Sequence, residues 1–116
     1  MCIFIVPRKH RHLADEIIAA IRNSRLSLST SLELAEEALR QSFPCQPAKK
    51  LIAGHRYGRL EECYGCHAWR NGKQVSNSNE VYLIAYQFDG EKLQCSTVWG
   101  GCYFKRIRQG IILFEL

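Results

Sequence analysis

An α+β fold is predicted: an N-terminal strand, an antiparallel helical hairpin, then a mostly antiparallel multi-stranded sheet, all in a single domain over residues 1–116. Three observations predict it. Apolar residues recur at helical spacing between His12 and Leu39, Pro44 and Pro47 forbid that helical run to continue, and strand-like apolar segments fill the chain after Lys49. The chain is 47% apolar and 23% charged, a globular balance in a length that can bury a core without metal or disulfide staples.

Each element has its own local signal. Cys2-Ile3-Phe4-Ile5-Val6 reads as a short buried strand stopped by Pro7. Leu13, Ala14, Ile17, Ile18 and Ile21 make one face of a first helix that should end between Asn23 and Arg25. Thr30-Ser31-Leu32-Glu33 has the form of a capping box, in which hydroxyl and carboxylate each satisfy a free amide, and Leu32, Ala35, Ala38 and Leu39 follow as the second apolar stripe. Strands are expected over Lys50–Tyr57 and Glu62–Arg70, with Asn71-Gly72 as a turn after the second and Ser76-Asn77-Ser78-Asn79 as a polar loop. Val81–Phe88 is apolar on both alternating faces, as suits a central strand, and Asp89-Gly90 turns it into Lys92–Trp99. Glycines at 100–101 and 110 bracket a basic strand, and Ile111–Leu116 is the last apolar one.

Lys and Arg number 16 against 11 Asp and Glu, a net charge of +5 that favours a polyanionic or acidic partner. The basic residues expected to contact nucleic acid are Arg8, Lys9, Arg11, Lys49, Lys50, Arg56, Arg70 and Arg108. His10 and His12 belong with the first of these runs. No stretch approaches the roughly 18–20 apolar residues that span a bilayer, and no charged leader precedes an apolar core. A cytoplasmic protein with no membrane contact is therefore expected, with its six cysteines as thiols.

Cys63-Tyr64-Gly65-Cys66-His67 matches the C-x-x-C-H pattern of haem attachment. The surroundings oppose that chemistry. Such haem is attached outside the cytoplasm, Met1 is the sole methionine, and strand alternation points Cys63 and Cys66 to opposite faces. Zinc would need a second ligand pair, which no nearby spacing supplies. No metal and no cofactor are expected, and buried strand cysteines are the simpler assignment. His55 and His67, each near arginines in strand-like segments, are candidates for proton transfer in RNA cleavage, although a lone strand histidine is commonly a satisfied polar residue. The adjacent Glu61 and Glu62 are weak candidates for a base, because neighbours in a strand face opposite ways. Tyrosines and tryptophans such as Tyr57, Tyr86 and Trp99 could stack on bases, but strand spacing makes most of them core.

The second half of the chain resembles the RelE/ParE superfamily of bacterial toxins, in particular its YafQ and YoeB branches. Ile52-Ala53-Gly54-His55-Arg56-Tyr57-Gly58 has the family's apolar-x-Gly-x-x-x-Gly spacing after a helical hairpin. Glu61-Glu62-Cys63, the aromatic-aliphatic Tyr82-Leu83-Ile84-Ala85-Tyr86, the turn at Phe88-Asp89-Gly90-Glu91-Lys92-Leu93, and Gly100-Gly101-Cys102-Tyr103-Phe104 continue it over about residues 50–104. The resemblance implies an RNA-binding toxin-type domain that cleaves RNA, free or on the ribosome, without metal, and an antitoxin protein as partner. Val98 stands nearest the place of the family's late-strand arginine, and Cys102 nearest its terminal histidine. Two outcomes fit these departures. One is a shifted catalytic set, with His67 moving protons while Arg59, Lys105 and Arg106 hold phosphate; the other is an inactive relative. The competing class is a non-catalytic α+β module that binds a protein or small molecule.

Overall fold

The computed structural model describes residues 1–63, 69–70, 73–74, 80–97 and 101–116. β1 (Cys2–Val6) leads through a single 3-10 turn into α1 (His12–Arg22) and α2 (Leu28–Ser42). Then follow β2 (Cys45–Pro47), β3 (Arg56–Cys63), β4 (Trp69–Arg70), β5 (Lys73–Gln74), β6 (Glu80–Phe88), β7 (Lys92–Thr97), β8 (Gly101–Arg106) and β9 (Ile112–Glu115). Seven of the strands form a sheet in the order β2-β1-β9-β3-β6-β7-β8, and β4 pairs with β5 separately. The α+β class and the largely antiparallel sheet agree with the sequence. The parallel pairing is β1 with β9, Phe4 beside Ile112 and Val6 beside Phe114.

α1 buries Ala14 and Ile21, with Ile17 and Ile18 half-covered beside them. α2 turns Leu39 inward and ends because Phe43, the residue before Pro44, is held extended at φ −121° and ψ 147°. Both helices lie against one side of the sheet, where Val6, Leu60, Val81, Ile112 and Phe114 complete a shared core. A second apolar cluster joins Ile3, Tyr57, Tyr86, Phe88, Leu93 and Leu113. β6 contributes Val81 to one cluster and Tyr86 and Phe88 to the other, which is the double coverage its apolar pattern predicts. Each fully buried large side chain of this kind contributes about 1.5–3 kcal/mol.

Several expectations are corrected. The cap of α2 lies one turn earlier than the Thr30 box: Ser27 Oγ accepts from Thr30 N at 3.2 Å, and Glu33 is left free of capping. The strand expected over Lys50–Tyr57 begins only at Arg56. Before it come a 3-10 turn at Ala48–Lys50 and a left-handed Gly54, φ 88°. β2 was not foreseen, since Pro44 precedes it and Pro47 is the last of its three residues. It pairs antiparallel with β1 and brings Cys45 beside Cys2, Cα atoms 5.6 Å apart, so this pair forms a disulfide where thiols were expected. β4 and β5 pair on either side of Asn71-Gly72, which itself lies outside the described residues, as does the Ser76–Asn79 loop.

Among the described residues no helix is long and apolar enough to cross a membrane.

Candidate functional site

A cleft opens where β3 parts from β9. The two strands pair at Tyr57 with Glu115 and Gly58 with Phe114, whereas β3 stays paired with β6 from Arg56 to Cys63. Gly58 sits at that parting, and close approach explains it: a Cβ there would stand 2.8 Å from Leu83 Cδ1 and 3.2 Å from Leu116 Cδ2. Beyond it, Glu33, Glu36 and Arg40 of α2 face Arg59 and the 108–111 segment around a space of about 290 Å3. Arg40 pins the far wall by donating from Nε to the Gly110 carbonyl at 3.1 Å, while its other nitrogens pair with Glu36 and Glu37.

Arg59 is the unusual member. It is 9% exposed, and its Nε has no hydrogen-bond partner among the described residues. A guanidinium placed this way loses hydration without full recompense. Burial accordingly lowers its pKa; Glu36 opposes, Arg108 lowers it further, and Tyr86 opposes again. The group nonetheless stays charged at neutral pH, because arginine starts so high. The result is a buried cation at the wall of a cleft, its Nε without a hydrogen-bond partner among the described residues.

Two residues along β3, on the same side of the strand, lies Glu61. Tyr86 Oη donates to one of its carboxylate oxygens and Lys105 Nζ pairs with the other. Its side chain is only 15% exposed. Lys105 belongs to β8, and β6 and β7 stand between β8 and β3 in the sheet. It reaches Glu61 because β6 and β7 are in register only at Gln87–Gln94 and Phe88–Leu93, beside the turn. From there the β7–β8 ribbon leaves the plane of β6 and folds over Tyr57 and Tyr86, burying Leu93 and Cys95 against them. Burial lowers the Lys105 pKa, Arg59 and Arg108 lower it further, and Glu36 opposes.

The fold therefore gathers Arg59, Lys105 and Arg108 from the sequence candidates. It does not gather the others. Arg106 alternates to the other side of β8, opposite Lys92. Arg8 donates from Nε and Nη2 to the Leu116 carbonyl and acts as a clasp between the chain ends. Lys9 and Arg11 are exposed around the start of α1, and Lys49, Lys50 and Arg56 are exposed before and at the start of β3. His55 is likewise exposed in the turn before β3. His67, Cys66 and Val98 lie outside the described residues, as do the side chains of Cys63, Arg70 and Cys102.

The sequence undervalued Glu61. Alternation separates it from Glu62, as expected: Glu62 accepts from Ser29 Oγ on the helical side at 3.1 Å, while Glu61 meets Tyr86 and Lys105. The available signal was the Arg59-x-Glu61 spacing, which places cation and carboxylate on one side of a strand. Arg40 carried no such signal, since its place in the cleft depends on how α2 lies across the sheet.

No family model matches the chain, no curated protein matches it, and no solved structure matches its fold.

Proposed function

We propose that this domain binds RNA along the cleft beside β3 and cleaves the strand there, as the RelE-like resemblance implies. The observation that carries the proposal is Glu61, held by Tyr86 and Lys105 two residues from the buried, incompletely partnered Arg59. RNA supplies its own nucleophile, so the protein has to move two protons and neutralise charge. Glu61 takes the proton of the 2′-hydroxyl, and O2′ attacks the adjacent phosphorus. As the bond from phosphorus to O5′ breaks, Lys105 delivers a proton to the leaving oxygen. Arg59 and Arg108 offset the charge of the phosphorane. The products are a 2′,3′-cyclic phosphate and a 5′-hydroxyl. This assigns to Glu61 part of the proton transfer that the sequence analysis expected of His67. Ribosome-bound RNA and an antitoxin partner enter the proposal through the resemblance alone.

A non-catalytic protein-binding module is the second reading. It is favoured by an apolar groove of about 200 Å3 between the helices, edged by Leu26 and Leu34, both more than half exposed.

Salt-dependent binding of a short 2′-O-methyl oligoribonucleotide, which cannot be cleaved, separates the two. Phosphate contacts release counterions, and each contributes about 0.7 to the slope of log K against log salt for a single strand. Arg59→Ala should weaken binding about tenfold or more and reduce that slope by about one contact, while Glu61→Gln should bind as the parent does. Binding that is absent in the parent protein, or indifferent to salt, would remove the RNA proposal and leave the protein-binding module.

A further inference from the structure

The side of β8 that faces away from Lys105 holds features the cleft does not use. Phe104 is 57% exposed, the most exposed aromatic side chain among the described residues. Lys92 Nζ stands over its ring, 4.7 Å from the centroid. Lys92 and Arg106 are cross-strand partners, and Phe104 faces Gln94 two pairs further along, on the same side. Together with Glu91 and Ile107 they border a depression of about 320 Å3. β8 is also the last strand of the sheet, and among the described residues no strand pairs with its outer edge.

A lone exposed apolar residue is ordinary on a protein surface. This one differs in its company. An aromatic face between two cations, against one carboxylate, is complementary to an anionic chain that carries flat rings. We propose that Phe104 is a stacking platform for an unpaired base of a single-stranded nucleic acid, with Lys92 and Arg106 on the flanking phosphates. The proposal rests on the RNA reading above. Phe104, Lys105 and Arg106 alternate across one edge strand, so a strand of RNA passing over that edge reaches the Glu61–Lys105 pair on one side and Phe104 on the other.

The test compares two probes of equal length and charge, a 2′-O-methyl oligouridylate and an oligomer of abasic sugar phosphates. Base–aromatic stacking corresponds to roughly 5- to 100-fold in affinity. Phe104→Ala should lose affinity for the oligouridylate within that range, should bind the abasic probe as the parent does, and should recover in Phe104→Tyr. Circular dichroism of the Phe104→Ala protein checks that the sheet is intact, and an exposed position predicts that it is. If Phe104→Ala binds both probes like the parent, the platform is overturned while the cleft proposal stands. Equal loss on both probes also overturns it, because the ring then acts without regard to bases, as a protein-docking residue or strand support would. If the parent binds neither probe, both proposals fall together.

Discussion

At the residue scale the decisive feature is a cation kept where it is expensive. A buried guanidinium whose Nε lacks a partner among the described residues carries a desolvation cost that an apolar side chain of similar reach does not. Arg59→Met is therefore expected to raise the free energy of unfolding by on the order of 1 kcal/mol. In the same protein, RNA binding should fall. Urea unfolding together with the oligonucleotide titration checks the pair of effects. A variant that is both less stable and unchanged in binding would show that Arg59 is a structural residue with partners of its own. The sequence singled out Arg59 and Lys105 because basic residues in strands are conspicuous. Glu61 was discounted by a sound rule, since its neighbour does face the other way. Judging it required knowing which side of β3 would receive Tyr86 and Lys105, and that depends on pairing between strands far apart in sequence.

At the scale of elements, the β6–β7 turn controls where Lys105 arrives. Asp89 Oδ1 accepts from the amides of Glu91 and Lys92, both at 2.8 Å, Asp89 Oδ2 accepts from Gln94 Nε2, and Gly90 takes the left-handed φ of 102° that the turn demands. The hydrogen bonds from Lys92 and Glu91 hold the Asp89 carboxyl below its ordinary value. A carboxylate lowered in this way contributes stability that is complete above the unfolded pKa and is lost as pH falls through the folded one. The stability gap between the parent and Asp89→Ala is thus expected to be constant near neutrality and to close from about pH 4 downward. Unfolding midpoints measured through that window check it, and a gap that widens in acid would contradict the assignment. Asp89-Gly90 was among the plainest features of the sequence, because the turn chemistry is local. The start of β3 was not. Residues 51–55 are apolar and extended enough to resemble a strand, yet Ile52 N donates to Tyr57 Oη and Gly54 N to the Phe88 carbonyl, contacts that bend the chain before Arg56. β2 was equally hidden, for a three-residue strand that follows one proline and ends in another takes its existence from the partner it meets.

Over the whole molecule the chain closes on itself. β1 and β9 lie side by side as the second and third strands of the sheet, with Ile3, Val6, Leu113 and Phe114 wholly buried, and Arg8 ties the first turn to Leu116. Nothing in either terminal segment announces the other, which is why the sequence yields the strands but not their neighbours. That closure has a functional consequence. It sets the 108–111 segment against α2, Cys2 holding Gln109 and Gly110 through its backbone, and so builds one wall of the cleft from the end of the chain and another from its middle. The site is a property of the tertiary fold more than of any motif.

End-group analysis of an RNA incubated with the purified protein, in the presence of a chelator, tests the assembled site most directly. Fragments ending in a 2′,3′-cyclic phosphate and a 5′-hydroxyl are expected from the parent. Their rate of appearance should fall about 100-fold or more in Glu61→Gln, the scale of a lost general base. Intact RNA from the parent protein, or cleavage that Glu61→Gln leaves untouched, would contradict the catalytic role given to the Glu61–Lys105 pair.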